Sequence, residues 1–234
     1  MLDDKLNWAQ HAGYIRGKLS RANYALARAK RILPLKIKLM IYNSLLKCHM
    51  DYCQPIWGNC PASFKRGFLK LQKTAVRNIS LSSYNHHSEP LFKKFKILKY
   101  DDLLIYNSAV LMLNVTMGTH PPTITYIFHR GHSFDRKLDY LIPLVPYTYL
   151  KNIVPYNLIH TWNNLSKGHR DWIKENLTNE NKSVFSNPMA IPEHFNISLN
   201  KYRLNGFKKS IVDDLLQKYQ AKVKCNNYYC NECN

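Results

Sequence analysis

The chain has 234 residues and a formal net charge of +19 at pH 7, from 34 Lys+Arg against 15 Asp+Glu. A hydrophobic content of 45% is typical of a globular protein and excludes a disordered tail, and the length allows one or two domains. Residues 1–100 hold 19 Lys+Arg and 4 Asp+Glu, whereas the charge of the remaining 134 residues is nearly balanced. The first part therefore predicts a polyanionic partner, and the second a folded accessory region.

The sequence predicts an intracellular protein, in the cytoplasm, the nucleus or both, with no membrane partner. Its longest apolar runs stop well short of the roughly 20 residues that cross a bilayer, and the residues after Met1 do not resemble a signal peptide. We expect its six cysteines to be thiols or metal ligands rather than disulfides.

The first predicted helix begins near Trp8. Apolar or small residues recur from Trp8 to Ala29 in alternating steps of four and three, which is the pattern of an amphipathic helix. The opposite face of this helix carries Arg21, Arg28 and Arg31. We interpret these three arginines as candidate contacts to phosphate groups.

The second helix is predicted from Pro34, which is favourable at a helix start, to about Met50. This segment has little polar face, so we expect it to be the buried helix of the fold. Proline and glycine between Cys53 and Pro61 then mark a connection.

The third helix, predicted over about Ala62–Ile79, separates apolar from charged residues. One stripe is apolar and includes Phe64 and Phe68. The other stripe holds four cations over roughly three turns: Arg66, Lys70, Lys73 and Arg77. Cations at these spacings repel one another, and no Glu lies between Ala62 and Ile79 to offset them. The stripe is either a solvated face or, given the similar face on the first helix, a surface for phosphate contact.

The rest of the chain is less regular. Two shorter helices are predicted over Leu91–Leu98 and Asp101–Thr116, and a final one over about Asn205–Gln220. Residues 118–170 are rich in proline and aromatics and predict irregular structure with a few strands, and 176–187 reads as a polar loop. We therefore expect a mainly α protein: a basic helical bundle (1–117), an irregular, partly α/β connecting region (118–204), and a terminal helix with a cysteine-rich tail (205–234).

The pair Asp101 and Asp102 after Tyr100 invites comparison with the metal-binding aspartates of polymerases. A reverse-transcriptase motif needs one more residue between the aromatic residue and the aspartates, and β-prone runs on both sides. We instead expect both carboxylates to stabilise the N-terminus of the helix that follows.

Two further matches involve histidines near the middle of the second half. His169, Arg170, Asp171 and Asn176 have the spacing of a kinase catalytic loop, and His169, Asp171 and His194 could form a facial iron triad. The sequence has neither the glycine-rich loop of a kinase nor the β-rich pattern of an iron oxygenase. We interpret both matches as chance.

The cysteines near the C-terminus have a density typical of metal sites. Cys225, Cys230 and Cys233 are three sulfurs within nine residues, but a closed structural zinc site needs a fourth ligand. Both a zinc site and simple tail thiols stay open. Cys48, His49, Cys53 and Cys60 could also form a metal-binding cluster, but they lie around an apolar helix end, where small buried cysteines are common. No GxSxG segment or phosphate-cradling glycine loop is present, so the sequence offers no motif for nucleophilic catalysis or nucleotide binding.

Several segments match one family pattern in the same order along the chain. They are Asp4–Trp8 with His11, Leu33-Pro34, Tyr52–Gly58, Leu71-Gln72, Tyr156–Leu165, and Phe207–Lys209 with Ile211, Leu215, Leu216 and Tyr219. Together they resemble non-LTR (LINE-type, jockey-like) retrotransposon reverse transcriptases, in the part just after the catalytic palm. The chain departs from the family at Ser166, where proline is usual, and at Met1, which stands in the middle of the family's pattern.

This resemblance implies a thumb-like helical bundle that grips the template–primer duplex behind the active site. In such enzymes the catalytic aspartates precede the position of Asp4, so no catalytic residue carries over. We expect a 5′-truncated copy or an incomplete gene model, no enzymatic activity of its own, and the palm of a parent RNA-directed DNA polymerase as a partner. The alternative is a protein-interaction or structural fragment with no nucleic-acid role.

Overall fold

The computed structural model describes residues 7–116, 128, 140, 142, 153–165 and 197–219. The helices run as follows: α1 Ala9–Ala29, α2 Leu35–Ile41, α3 Cys48–Asp51, α4 Gln54–Trp57, α5 Ala62–Ser80, α6 Glu89–Lys94, α7 Tyr100–Thr116, α8 Val154–Asn163 and α9 Ile197–Gln217. A π-helical segment, Tyr42–Lys47, joins α2 to α3. The predicted mainly α fold is confirmed, because these residues contain no β-strand. Within the same part of the chain, no helix combines the length and hydrophobicity that a membrane crossing requires.

Helix α1 forms where its periodicity predicts it. Ala12, Leu19 and Leu26 on its predicted apolar stripe are fully buried. The side chain of Asn7 accepts a hydrogen bond from the Ala9 amide at 2.8 Å, which satisfies one of the free N–H groups of the first turn. At the other end, the Lys38 ammonium donates to the Lys30 carbonyl at 3.3 Å. A cation at this position interacts favourably with the helix dipole.

The expectation that the second helix is buried was wrong. Its inner side buries Tyr42 and Leu46, but Met40 is 56% exposed and Leu45 is 43% exposed, whereas Lys38 is only 4% exposed. The helix contacts α1 and α5 along its inner side, and its last part, α3, also contacts α7. The π-helical segment adds to the error, because its wider turn shifts the phase of every following side chain, and periodicity in the sequence does not reveal such a shift.

The central buried helix is instead α7. It packs against α3, α4, α5, α8 and α9, so apolar residues on several of its sides are enclosed. Ala109, Met112 and Leu113 are almost fully buried, and the ring of Tyr100 lies 4.8 Å from that of Phe68. Asp101 and Asp102 lie in the first turn of α7, as predicted.

Helix α8 corrects the expectation of irregular structure for the whole of 118–170. Pro155 occupies its first turn, and Trp162 is fully buried. Asn163 fastens this helix to the backbone of Tyr140: its amide donates to the Tyr140 carbonyl at 2.9 Å, and its oxygen accepts from the Tyr140 amide at 3.1 Å. The buried residues Leu158, Ile159 and Trp162 do have helical spacing, but the many prolines and aromatics of the region favour an irregular interpretation, which explains the error.

Helix α9 begins eight residues before the predicted Asn205 and ends near the predicted boundary. Just after it, the Tyr219 hydroxyl accepts a hydrogen bond from the Lys99 amide at 2.8 Å and donates one to the Asp102 carboxylate at 2.6 Å. Burial raises the pKa of Asp102 and that of Tyr219 above their ordinary values. The two hydrogen bonds tie the end of the chain to the start of α7. The predicted loop at 176–187 lies outside the described residues.

The Tyr219 contact gives a first prediction. Tyr219→Phe removes the acceptor of the Lys99 amide and the donor to Asp102, so we expect a loss of about 1–3 kcal/mol in the free energy of unfolding. Urea denaturation followed by circular dichroism measures this loss. Tyr52→Phe is the matched control, because Tyr52 is 75% exposed, and it should change stability by less than about 0.5 kcal/mol. Equal stability of the two variants would contradict the role of Tyr219.

Candidate nucleic-acid interface

The two helices that carry the predicted basic stripes lie side by side and parallel. Near their starts, a Cβ on Gly13 of α1 would lie 3.8 Å from the Phe64 ring of α5. Further along both helices, the Asn23 amide donates to the Leu71 carbonyl at 2.7 Å. Because both contacts advance in the same direction along the two chains, α1 and α5 run parallel. Packed helices of this kind have axes roughly 8–10 Å apart.

Both helices bury their apolar stripes on the same side of this pair. Leu19 of α1 and Phe68 of α5 are fully buried, and the helix from α2 to α3 lies across the same side through Tyr42. The opposite sides of α1 and α5 therefore face the same direction. We call this shared outer surface the basic face. It comprises the seven predicted residues: Arg21, Arg28, Arg31, Arg66, Lys70, Lys73 and Arg77.

The register of the two helices brings the two stripes level with each other. Because Asn23 lies beside Leu71, Arg21 is level with Lys70, and Arg28 is close to the level of Arg77. From Arg66 to Arg77 the stripe on α5 spans roughly 16 Å at 1.5 Å per residue. One strand of a duplex presents about five phosphates over that length, at about 3.4 Å each. The basic face therefore matches a short stretch of nucleic-acid backbone in length and charge.

Acidic residues are almost absent from this region. Between residues 5 and 88 the only one is Asp51, which pairs with Lys47. In the part of the chain that the structure describes, none of the seven basic side chains forms an ion pair. Within the described residues, no ion pair therefore neutralises the positive charge of the basic face.

Two of the seven cations also have structural roles. Arg28 and Arg77 lie in the last turns of α1 and α5, where a positive charge stabilises the helix. Arg77 in addition donates from Nε to the His86 carbonyl at 2.8 Å, and its guanidinium lies 5.9 Å from the Tyr84 ring. Arg31 differs from the prediction in another way: α1 ends at Ala29, so Arg31 is exposed in the turn that follows.

The structure adds three exposed residues to α1 that sequence reasoning missed. Arg16 lies at the contact between α1 and α5, with its guanidinium 5.5 Å from the Phe64 ring. Tyr14 and Tyr24 point outward from the same helix. Their spacing in the sequence could have placed both tyrosines on the same side of the helix as the arginines. Tyr14 precedes Arg21 by seven residues, and Tyr24 lies three residues after Arg21 and four before Arg28.

The three cysteines of the bundle differ in their exposure to solvent. Cys48 and Cys53 are exposed and Cys60 is buried, and burial raises the pKa of the Cys60 thiol. Among the described residues, no three side chains of the His, Cys, Asp or Glu type are placed to hold a metal ion together. The other candidates lie outside those residues: Cys225, Cys230, Cys233, His169, Arg170, Asp171, Asn176 and His194.

Residues of the retrotransposon-like segments build the core. The Trp57 ring contacts the rings of His11 and Phe68 at 5.2 and 5.8 Å. Next to it, a Cβ on Gly58 would lie 2.5 Å from the Gln54 carbonyl, so only glycine fits there. Gln72 is buried, with its amide donating to the Tyr42 hydroxyl at 3.1 Å and to the Leu98 carbonyl at 3.2 Å. These segments therefore stabilise the fold that holds the basic face in place, but they do not supply the cations of that face.

Comparison with protein-family models, with curated proteins and with solved structures finds no match for this chain. The resemblance to retrotransposon polymerases therefore rests on the sequence segments alone and stays a prediction. The arrangement of charge on α1 and α5 is independent of it.

The basic face leads to a second prediction. Replacing Arg66, Lys70 and Lys73 with glutamine should make the slope of log K against log salt for duplex binding shallower by about 2 to 3, because each phosphate contact contributes about 0.9. Fluorescence anisotropy over a salt series measures the slope. Arg77 is left unchanged because it also contacts His86.

The control removes the same charge elsewhere. Lys36, Lys94 and Lys209 are exposed on α2, α6 and α9 and are not among the seven residues of the basic face. Their replacement with glutamine should leave the slope within the error of the wild-type value. If both triple variants changed the slope equally, net charge rather than the basic face would govern binding.

Proposed function

We propose that this protein is a nucleic-acid-binding module that grips the backbone of an RNA or RNA–DNA duplex without reading its sequence. The observation that carries the proposal is the placement of six cations on one face of two parallel helices, with Arg31 in the turn after α1 and no acidic partner for any of the seven among the described residues. Arginine and lysine contacts to phosphates fix a protein on a duplex but carry no base information.

The resemblance to retrotransposon reverse transcriptases gives this proposal its setting. In that setting the bundle is thumb-like and holds the template–primer duplex as it leaves an active site contributed by a palm domain. The module then binds without catalysing, and the cysteines Cys225, Cys230 and Cys233 are candidates for a zinc site.

A salt series on the wild-type chain tests the binding function as the third prediction. If all seven cations contact phosphates, the slope of log K against log salt for an RNA–DNA duplex should be about −6. A slope near zero would contradict the proposal. In the same preparation, primer–template with nucleotides and magnesium should give no extension, and extension would show that the chain contains a catalytic site of its own.

A second candidate function is protein interaction without a nucleic-acid role. It is favoured by the exposed apolar side chains along the second helix and the turn before it, with Ile32 at 84% and Met40 at 56% exposure. Large contiguous apolar patches on a protein surface mark interaction sites. On this interpretation the basic face is only solvated.

The two candidates differ in a fourth, measurable prediction. Under nucleic-acid binding, the double variant Met40→Ser with Leu45→Ser keeps the wild-type duplex affinity, since both side chains lie on a helix that packs on the core side of α1 and α5. If the protein instead functions only in protein interaction, the wild-type chain should bind a duplex with a dissociation constant no tighter than about 10⁻⁴ M at physiological salt, which is the weak end of non-specific binding. Filter binding distinguishes the two outcomes.

A further inference from the structure

Two tyrosines on the outer side of α1 are exposed to solvent. Tyr14 is 60% exposed and Tyr24 is 68% exposed, although the ring of tyrosine is largely apolar. The Lys18 ammonium lies 5.3 Å from the centre of the Tyr14 ring. For Tyr24, the described part of the chain offers neither a hydrogen bond nor a ring contact. Neither ring is needed for the core.

The positions of these rings relative to the arginines are regular. Tyr24 follows Arg21 by three residues and precedes Arg28 by four, so the three side chains are neighbours on one side of the helix. Tyr14 precedes Arg21 by seven residues, or two turns. The outer side of α1 therefore alternates aromatic rings with cations, whereas the outer stripe of α5 carries cations alone.

We propose that Tyr14 and Tyr24 stack on unpaired bases, so that α1 holds a single strand of RNA or DNA where it leaves a duplex bound by the basic stripe of α5. This inference rests on the proposed function and specifies its substrate as a duplex with a single-stranded extension. Proteins that bind single strands combine a basic surface for the backbone with exposed aromatic rings for the bases.

The dimensions of the site agree with this substrate. Ten residues separate Tyr14 from Tyr24, which is roughly 15 Å along the helix. At about 3.4 Å per stacked nucleotide this distance covers about four nucleotides. Single-strand binding modules use site sizes that begin at about four nucleotides.

A fully paired duplex would not use these rings. Its bases are already stacked on one another, so an exposed phenol ring meets only sugar and phosphate. An apolar protein surface is also a poorer match. Arg21 and Arg28 flank Tyr24, and contact with such a surface would remove water from both charges at a cost in free energy. An unpaired strand satisfies both kinds of side chain, with phosphates on the arginines and bases on the rings.

The test compares three oligonucleotides at one salt concentration: a 12-nucleotide single strand, the same strand with abasic sites, and a fully paired duplex. The wild-type chain should bind the normal single strand more tightly than the abasic one. The double variant Tyr14→Ala with Tyr24→Ala should lose at least about fivefold in affinity for the normal strand, the lower end of one stacking contact. Its duplex affinity should be unchanged.

Two control variants make the result specific to stacking. Tyr14→Phe with Tyr24→Phe keeps both rings and should bind like the wild type, and Tyr52→Ala removes a ring that is equally exposed but lies outside α1. Circular dichroism and thermal denaturation of each variant confirm folding. Parallel measurements with RNA and DNA strands show which of the two is preferred.

The outcomes separate this inference from the function on which it rests. If the alanine variant binds every oligonucleotide as tightly as the wild type, or loses duplex and single-strand affinity by the same factor, the stacking role is overturned while duplex binding by the basic face stands. If the wild-type chain binds neither the single strand nor the duplex, the proposed function fails and this inference fails with it.

Discussion

The packing of α1 and α5 over a common core is the constraint on which the basic face depends. Each helix carries its basic stripe opposite its apolar stripe. Burial of the apolar stripe in the core therefore fixes the direction in which the basic side chains point. Phe68 and Ile79 of α5 are almost completely buried, and each contributes about 1.5–3 kcal/mol. The three neighbouring like-charge pairs from Arg66 to Arg77 oppose this by only about 0.2–0.5 kcal/mol each. The core therefore outweighs the repulsion, and the bundle tolerates an uncompensated charge that a bound polyanion would relieve.

Close approach of the two helices depends on small residues at their contact. Gly13 faces the Phe64 ring, and a Cβ on Gly67 would lie 3.4 Å from Cδ of Arg16. The buried side chain of Asn23 then joins the helices through the Leu71 carbonyl. This seam holds the two basic stripes at a fixed distance. A fixed distance between the stripes distinguishes a binding surface from a solvated face on which lysines are scattered.

The sequence alone predicts the elements whose periodicity is strong and local. Helices α1, α5 and α7 lie within a few residues of their predicted positions, and Leu19 and Phe68 are buried as their stripes require. Each basic stripe was also predictable, because its spacing is set by a single helix. That both stripes face the same direction was not, since it depends on the contact of Asn23 with Leu71, 48 residues away. The exposure of Tyr14 and Tyr24 escaped prediction for a related reason, because tyrosine occurs as readily in a core as on a surface.

The second helix shows where a local pattern gives the wrong answer. Its composition favours burial, yet Lys38 is enclosed while Met40 is open to water. The cost of enclosing the ammonium is offset because it donates to the Lys30 carbonyl at the negative end of α1. The apolar side chains gain nothing comparable within the bundle, since α1 and α5 cover only one side of their helix.

The apolar and basic surfaces consequently lie on different sides of the bundle. The helix from α2 to α3 packs against the core side of α1 and α5, whereas the basic face is their outer side. A polyanion on the outer side would leave Ile32 and Met40 accessible, so occupation of one surface does not exclude occupation of the other. Nucleic-acid binding and protein contact are therefore compatible in one molecule. That division is what a module needs if it is to hold a duplex on one side and attach to a larger protein on the other.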